Sequence, residues 1–209
     1  YHKQCLPNYG VFDERRYFEP GTDSFVFECQ QSKIGVVICE DAWEAAPINA
    51  AVSHGAQTII SLNASPFQLG KHQQRIETMR QRVLENNINL IYVNAIGGQD
   101  ELVFDGGSFV MDASGTITHQ LPFFQVLTHS LDQPILQNTN ESIEKTIYDA
   151  LVLSTKDYIE KNGVFNGAII GLSGGIDSAL TLAIAVDALG AEHVQAIMMP
   201  YEYTSSMSL

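Results

Sequence analysis

The segment IGVVICEDAWE, residues 34–44, decides how the rest of the chain is interpreted. Its apolar half is long enough for one buried strand, and the acidic pair Glu40 and Asp41, followed by Trp43, favours the start of a helix. Cys39 therefore stands at a predicted strand-to-helix turn. Backbone amides at a helix start favour negative charge, so we expect this turn to lower the pKa of the Cys39 thiol and create a nucleophile. The alternative is a buried cysteine that packs as a small apolar group.

Composition excludes several classes of protein. The 209 residues are 45% hydrophobic, which is sufficient for a sizeable core and indicates one and a half domains rather than one or three. The formal net charge of -13 would repel a phosphate backbone, so we expect no nucleic-acid partner. The chain has no apolar run of about eighteen residues and no signal-peptide pattern at its start, so we expect no membrane partner and a cytoplasmic setting.

The cysteines and histidines do not form a metal-binding pattern. Cys5, Cys29 and Cys39 are odd in number and lack C-x-x-C spacing, which argues against a disulfide framework and against a zinc site. The six histidines are scattered and include no H-E-x-x-H motif, so we expect no histidine metal site.

The first two thirds of the chain alternate short apolar runs with segments of helical periodicity, which predicts an α/β layer. Residues 1–18 have neither the period of a strand nor that of a helix, and their proline and glycine indicate a loop. The predicted strands are 25–28, 34–38, 58–62 and 90–95, the helices are 45–54 and 71–87, and the strands 108–112 and 116–119 form a hairpin.

A second unit is predicted to follow a polar segment without periodicity. We expect a first domain over residues 1–132, a linker over 133–141 and the start of a second domain over 142–209. The second domain begins with a helix from Ile143 to Asn162. It continues as one βαβ unit with the strand 168–172, the helix 179–189 and the strand 194–199.

The loop between this strand and helix reads GLSGGIDS, residues 171–178. Converging backbone amides, two hydroxyls and the start of a helix would form a phosphate cradle, although the loop is neither a Walker motif nor G-x-G-x-x-G. An ordinary glycine-rich turn is the alternative. The loop resembles the SGGxDS signature of the ATP-pyrophosphatase (PP-loop) family. That resemblance implies ATP binding by Gly171, Leu172, Ser173, Gly174, Gly175, Ile176, Asp177 and Ser178, with Mg²⁺ held by Asp177.

The first domain resembles the nitrilase (carbon-nitrogen hydrolase) superfamily through YHKQCLPNYGVFDE, residues 1–14, and the cysteine turn. The resemblance implies that Cys39 is the nucleophile, Lys3 the catalytic lysine and Glu14 a second, structural glutamate. Amide hydrolysis needs these residue types, because a thiolate attacks the amide carbonyl and an ammonium stabilises the oxyanion. Taken alone, Lys3 could equally be a solvated surface charge. Cys5 and Cys29 are interpreted as packing or surface thiols.

The two halves together resemble the glutamine-dependent NAD synthetase family over essentially the whole chain, with NASPF (63–67) and GGQDELVFDG (97–106) as further matching motifs. The resemblance implies a partial nitrilase-like α/β sandwich followed by the start of a Rossmann-like PP-loop parallel-sheet domain. It implies glutamine binding by Tyr9, Ser65 and Lys71. Taken separately, these three could be a packed aromatic, a strand-end hydroxyl and a helix-start lysine.

The implied reaction is ATP- and glutamine-dependent amidation of deamido-NAD to NAD by a homo-oligomer. The family's general-base glutamate lies upstream of its lysine, before Tyr1 in this numbering, and its synthetase region continues beyond Leu209, so we expect the chain to be a fragment. Two other functions stay open. One is a noncatalytic nucleotide-binding or assembly fragment, and the other is a nitrilase-type amidase acting on another small amide.

Overall fold

A computed structural model of the chain describes residues 1–136, 142–163 and 166–200. It confirms the predicted mixed α/β class. The strands are β1 Phe25–Cys29, β2 Ser32–Ile38, β3 Thr58–Asn63, β4 Asn89–Asn94, β5 Ile96–Gln99, β6 Leu102–Asp105, β7 Phe109–Met111, β8 Ile117–Gln120, β9 Ala168–Gly171 and β10 Val194–Ile197. The α-helices are α1 Ala45–Ser53, α2 Lys71–Asn86, α3 Ile143–Asn162 and α4 Ile176–Leu189, and three short 3₁₀ helices cover Glu14–Arg16, Cys39–Ala42 and Ala191–His193.

The chain divides into two compact units. The first comprises Tyr1–Ala95 with Phe104–Thr139, and the second comprises Ile96–Val103 with Asn140–Leu209. In the first unit, six strands form a sheet in the order β1-β2-β3-β4-β7-β8. Strands β2, β3 and β4 are parallel, whereas β1 and the β7–β8 hairpin pair antiparallel at the two edges. The carboxyl ends of the three parallel strands therefore lie at one edge of the sheet.

Helices α1 and α2 cover one face of this sheet, because their apolar residues recur at helical spacing. Met79 and Val83 on α2 and Ile48 on α1 are fully buried, and burial of each such side chain stabilises the fold by about 1.5–3 kcal/mol. The core they form consists of Val37, Ala42, Ile48, Ala51, Ala56, Ile59, Ile76, Met79, Val83, Ile88, Leu90, Tyr92, Phe109 and Met111. The opposite face of the sheet exposes Phe25, Phe27, Leu62 and Val93.

Strands β1 and β2 are joined by a tight turn that the sequence does not indicate. Cys29 pairs with Ser32, so the turn contains only Gln30 and Gln31, with φ angles of 49° and 69°. Two-residue hairpins that need positive φ usually contain asparagine, aspartate or glycine. The glutamine pair therefore carries no recognisable hairpin signature.

The second unit contains the predicted βαβ arrangement, with β9 and β10 parallel. Helix α3 begins at the predicted residue, where the Ser142 hydroxyl accepts a hydrogen bond from the Lys145 amide at 3.2 Å. Helix α4 begins at Ile176, three residues before the predicted start. The part of the chain described by the structure includes no helix that is both long and apolar enough to cross a membrane.

A short hairpin, β5 and β6, is a further element that the sequence analysis did not predict. Residues 96–103 group with the second unit because Gly98 lies against helix α3. The Asp157 carboxylate accepts a hydrogen bond from the Gly98 amide at 2.7 Å, and Lys161 donates to the Gly98 carbonyl at 2.9 Å. A Cβ at Gly98 would lie 3.1 Å from the Cα of Ser154, so the close approach favours glycine.

We predict that His72, near the start of α2, makes the first unit sensitive to acid. Its ring packs edge-on against Phe123 with centroids 4.7 Å apart, and burial, with the Arg75 charge, lowers the pKa of His72 to about 4. The unfolded chain protonates this residue near its ordinary pKa of 6.5, whereas the folded chain resists protonation. The stabilising contribution is therefore complete above pH 6.5 and is lost as pH falls towards about 4.

Thermal unfolding across this pH range measures the effect. We expect His72→Gln to flatten the decline of Tm between pH 6.5 and about 4, because glutamine does not titrate. An unchanged slope in the variant would contradict the assignment to His72.

Candidate active site

Cys39 lies at the carboxyl end of β2 in a strained turn. It is the first residue of the 3₁₀ helix Cys39–Ala42, it is 9% exposed, and its φ is 48°. This left-handed conformation is uncommon for a residue with a Cβ, and such strain concentrates at functional sites. The amide of Trp43 closes the turn by donating to the Glu40 carbonyl at 3.0 Å.

The three predicted catalytic residues line one cavity of about 420 Å³. Lys3 Nζ donates to both carboxylate oxygens of Glu14, at 2.6 and 2.7 Å. The two side chains are only 13% and 23% exposed, so the pair is partly shielded from water. The structure thus brings an ammonium, its carboxylate partner and the Cys39 thiol to the wall of one cavity.

The electrostatic environment of Cys39 differs from the one predicted. Burial raises the pKa of the Cys39 thiol, the Lys3 charge opposes this effect, and the carboxylates of Glu40 and Glu14 add to it. The predicted lowering of the pKa is therefore wrong. The 3₁₀ helix at the turn has only four residues, and its amides do not compensate for desolvation beside two acidic groups. Lys3 is the positive group that favours the thiolate.

Tyr9 lies at a second cavity of about 850 Å³, which shares Leu6, Phe18 and Glu19 with the first. The Tyr9 ring is 59% exposed, and its hydroxyl donates to Glu40 at 2.8 Å. Burial of the hydroxyl and this hydrogen bond to Glu40 raise the pKa of Tyr9 to about 12. Tyr9 is therefore neutral at physiological pH and can act as a hydrogen-bond donor.

The other two predicted glutamine-binding residues occupy different surroundings. Ser65 is 4% exposed and its hydroxyl accepts a hydrogen bond from Arg75 at 3.2 Å. The Lys71 ammonium lies over the Trp43 ring, 4.2 Å from its centroid, a favourable cation–π distance. Among the residues that the structure describes, neither Ser65 nor Lys71 lines the two cavities.

A buried ionic network around Arg75 supports Ser65. Arg75 is fully buried and donates to both oxygens of Asp105, at 2.8 and 2.9 Å, and to the carbonyls of Ser65 and Pro66. The Asn94 side chain donates to Asp105 at 3.1 Å. The sequence analysis missed this network, although a cation on the apolar face of a helix, four residues before Met79, signals a buried partner.

Asp41 is the second residue that the analysis missed. It is completely buried, and each carboxylate oxygen accepts two hydrogen bonds. The amides of Gln4 and Cys5 donate to Oδ1 at 3.0 and 2.7 Å. The Tyr1 hydroxyl and the Ile38 amide donate to Oδ2 at 2.7 and 3.1 Å. The signal was its place two residues beyond Cys39, at the end of an apolar run that folds into the core.

The predicted phosphate loop connects β9 to α4 in the second unit. The hydroxyls of Ser173 and Ser178 are 3.1 Å apart, and the Ser173 amide donates to Ser178 at 3.2 Å. Gly174 has a φ of 81°, and Asp177 lies exposed in the first turn of α4. The described residues contain no group of three or more acidic, histidine or cysteine side chains arranged to hold a metal. Mg²⁺ commonly binds one or two carboxylates together with the phosphate oxygens of a nucleotide. Asp177 can offer the carboxylate.

Comparison with known families matches the geometry of the first unit. Residues 1–141, two thirds of the 209, match the family described as carbon-nitrogen hydrolase. The chain belongs to the carbon-nitrogen hydrolase family. Residues 147–209 match a second family, described as NAD synthase. A carbon-nitrogen hydrolase region followed by an NAD synthase region is the order that the motifs predict.

Curated relatives of this carbon-nitrogen hydrolase chain match it from end to end. Glutamine-dependent NAD(+) synthetase of Acinetobacter baylyi is 46% identical over 100% of this chain and 40% of the relative. The enzyme of the same name from Thermotoga maritima is 36% identical over 100% of this chain and 43% of the relative. The predicted resemblance to glutamine-dependent NAD synthetases is confirmed. The chain spans about two fifths of the length of these relatives.

Two solved structures resemble the carbon-nitrogen hydrolase chain, one over its whole length and one over part of it. Glutamine-dependent NAD+ synthetase from Acinetobacter baumannii, in complex with adenosine diphosphate, is 46% identical with a TM-score of 0.92, over 100% of this chain and 41% of that one. An amidase of the nitrilase superfamily from Nesterenkonia is 29% identical with a TM-score of 0.52, over 58% of this chain and 45% of that one. The nitrilase-like fold of the first unit is thereby confirmed.

We predict that Lys3→Met raises the pKa of Cys39 further. The substitution removes the positive charge that favours the thiolate and leaves Glu14 and Glu40 unopposed. In a Cys5→Ser, Cys29→Ser background, alkylation of Cys39 by iodoacetamide should move to higher pH by about one unit or more.

The matched control for this experiment is Lys33→Met at the exposed start of β2. It should leave the alkylation profile unchanged. Identical profiles for the Lys3 and Lys33 variants would contradict the assigned role of Lys3.

We predict that Arg75→Ala destabilises the first unit by about 3–5 kcal/mol, because it leaves the Asp105 carboxylate buried without its partner. Denaturant-induced unfolding measures the change. Arg16→Ala removes an exposed ion pair with Asp13 and should cost less than about 1 kcal/mol. Equal losses in the two variants would show that the buried network is not the source of the stability.

Proposed function

We propose that the chain carries the glutamine-hydrolysing site and the ATP loop of an enzyme that amidates deamido-NAD to NAD. The observation that carries the proposal is the cavity shared by Cys39, Lys3 and Glu14, in a chain whose second family match is NAD synthase. Relatives that match the whole chain are named glutamine-dependent NAD(+) synthetases.

In the proposed hydrolysis, the Cys39 thiolate attacks the side-chain carbonyl carbon of glutamine. The Lys3 ammonium stabilises the developing oxyanion, and Glu14 holds Lys3 in place by two hydrogen bonds. Collapse of the intermediate breaks the C–N bond, and the nitrogen leaves as ammonia after it accepts the proton that the Cys39 thiol lost on ionisation. Water then cleaves the thioester, which releases glutamate and restores the thiol. Binding of glutamine by Tyr9, Ser65 and Lys71 stays a prediction.

In the proposed synthetase step, the loop of residues 171–178 binds the phosphates of ATP. The hydroxyls of Ser173 and Ser178, which lie 3.1 Å apart, and the start of α4 are suited to anionic oxygens. Asp177 would hold Mg²⁺, which neutralises phosphate charge when it is bound. The nicotinate carboxylate is adenylated with release of pyrophosphate, and ammonia then displaces AMP to form the amide.

We also propose the domain boundaries given by the sequence: 1–132, a linker over 133–141, and 142–209. The family matches, which end at 141 and begin again at 147, support a boundary in this region. Residues 137–141 of the linker lie outside the described residues. A cytoplasmic homo-oligomer and the small-molecule substrates glutamine, ATP and deamido-NAD are part of the same proposal.

A second candidate function is hydrolysis of another small amide without a synthetase step. The similarity of 58% of the chain to the Nesterenkonia amidase favours it. This alternative requires that activity be indifferent to ATP and to Asp177→Ala.

We predict that Cys39→Ala separates the two half-reactions in the protein as its gene encodes it. NAD formation with glutamine should fall by roughly 10³-fold or more, because the nucleophile is removed. NAD formation with ammonium should persist, because the second site receives ammonia directly. Chromatographic quantification of NAD from deamido-NAD and ATP measures both.

Two further variants complete this test. Cys29→Ala, at an exposed thiol, should behave as the parent protein. Asp177→Ala should abolish NAD formation with either nitrogen donor. Undiminished use of glutamine by Cys39→Ala would contradict the proposed function.

A further inference from the structure

A single carboxylate joins the two segments that form the candidate active site. Lys3 belongs to residues 1–5, a described segment without helix or strand, and Cys39 follows β2. A side chain on an irregular segment depends for its position on the contacts of the surrounding backbone as well as on its own hydrogen bonds. The contacts of residues 1–5 with Asp41 are therefore relevant to the geometry of the cavity.

Asp41 is hydrogen-bonded to residues on both sides of Lys3, to a side chain before it and to the backbone after it. The Tyr1 hydroxyl precedes Lys3, the amides of Gln4 and Cys5 follow it, and all three donate to the Asp41 carboxylate. The carbonyl of Lys3 also accepts a hydrogen bond from Gly21 at 2.8 Å. Residues 1–5 are therefore held by these four hydrogen bonds, three of them to one carboxylate.

The same carboxylate also braces the turn that contains Cys39. It accepts the amide of Ile38, the residue directly before Cys39, at 3.1 Å. Cys39 has a φ of 48°, and a strained residue persists only when neighbouring contacts determine its conformation. Asp41 does not line the cavity, so its effect on the thiol is exerted through the backbone of other residues.

We propose that Asp41 is a positioning residue that holds the Lys3 ammonium beside the Cys39 thiol. The proposal rests on the proposed role of Cys39 as a nucleophile. The charged groups that face the thiol are Lys3, Glu14 and Glu40, and of these only Lys3 favours its ionised form. Displacement of the Lys3 segment therefore affects reactivity even when the fold is kept.

The test compares Asp41→Asn with the parent, both made in the protein as its gene encodes it and in the Cys5→Ser, Cys29→Ser background. Asparagine replaces one acceptor oxygen by an amino group, so two of the four donors lose their acceptor. We expect the iodoacetamide profile of Cys39 to shift to higher pH by about one unit. We expect kcat with glutamine to fall by about 10²-fold with little change in KM.

Asp112→Asn is the matched control. Asp112 accepts hydrogen bonds from the amides of Ser114 and Thr116 and from the Ser114 hydroxyl, but it lies in the exposed β7–β8 turn. This variant should leave the alkylation profile and glutamine-dependent kcat unchanged. NAD formation with ammonium should be unchanged in both variants, which confines the effect to the glutamine site.

If Asp41→Asn does not fold, Tyr1→Phe removes one of the four hydrogen bonds without burying an unpaired donor, and it should shift the profile in the same direction by less. An unshifted profile in a folded Asp41→Asn protein, or in Tyr1→Phe when the former is unfolded, overturns the proposal. A shifted profile in a protein that does not hydrolyse glutamine supports the positioning role and overturns the proposed function instead.

Discussion

Burial of the Cys39 thiol opposes its ionisation, and the rest of the first unit determines how far this opposition is offset. Burial raises the pKa of a thiol in a water-excluded turn, and a nearby positive charge offsets part of that rise. Lys3 supplies that charge, but a lysine that is only 13% exposed must itself have an acidic partner, which is Glu14. One buried thiol thus accounts for a paired lysine, and Asp41 holds the segment on which that lysine lies.

The parallel strands explain why these groups meet. Cys39 follows β2, Ser65 lies just beyond β3 and Asn94 ends β4, so the three lie at one edge of the sheet. Side chains delivered by rigid strands to such an edge can be held in place by a shared polar network. Here Arg75 and Asp105 form that network, and every Arg75 nitrogen has an acceptor. A buried ion pair of this kind gives little net stability but imposes one arrangement of the loops that contain it.

Much of this arrangement could be predicted from the sequence. The periodicity of the apolar runs indicated the sheet, both of its helices and the βαβ unit, because each element buries residues at its own period. The motifs likewise indicated that Lys3, Glu14 and Cys39 form a set. The Gln30–Gln31 turn could not be predicted because glutamine is not a typical hairpin-turn residue. The β5–β6 hairpin and the partners of Asp41 and Arg75 could not be predicted because they depend on residues distant in the sequence. The pKa of Cys39 was predicted with the wrong sign, because a sequence indicates the local turn but not the depth of burial.

The β5–β6 hairpin gives the chain an unusual covalent path. The chain leaves the first unit after Ala95, contributes residues 96–103 to the second, and returns at Phe104. Each unit is therefore discontinuous along the sequence. A proteolytic cut within residues 133–141 would not divide the chain into two self-contained pieces, because Gly98 would remain on one fragment and its partners Asp157 and Lys161 on the other. The two fragments would behave as complementary parts that associate through this hairpin.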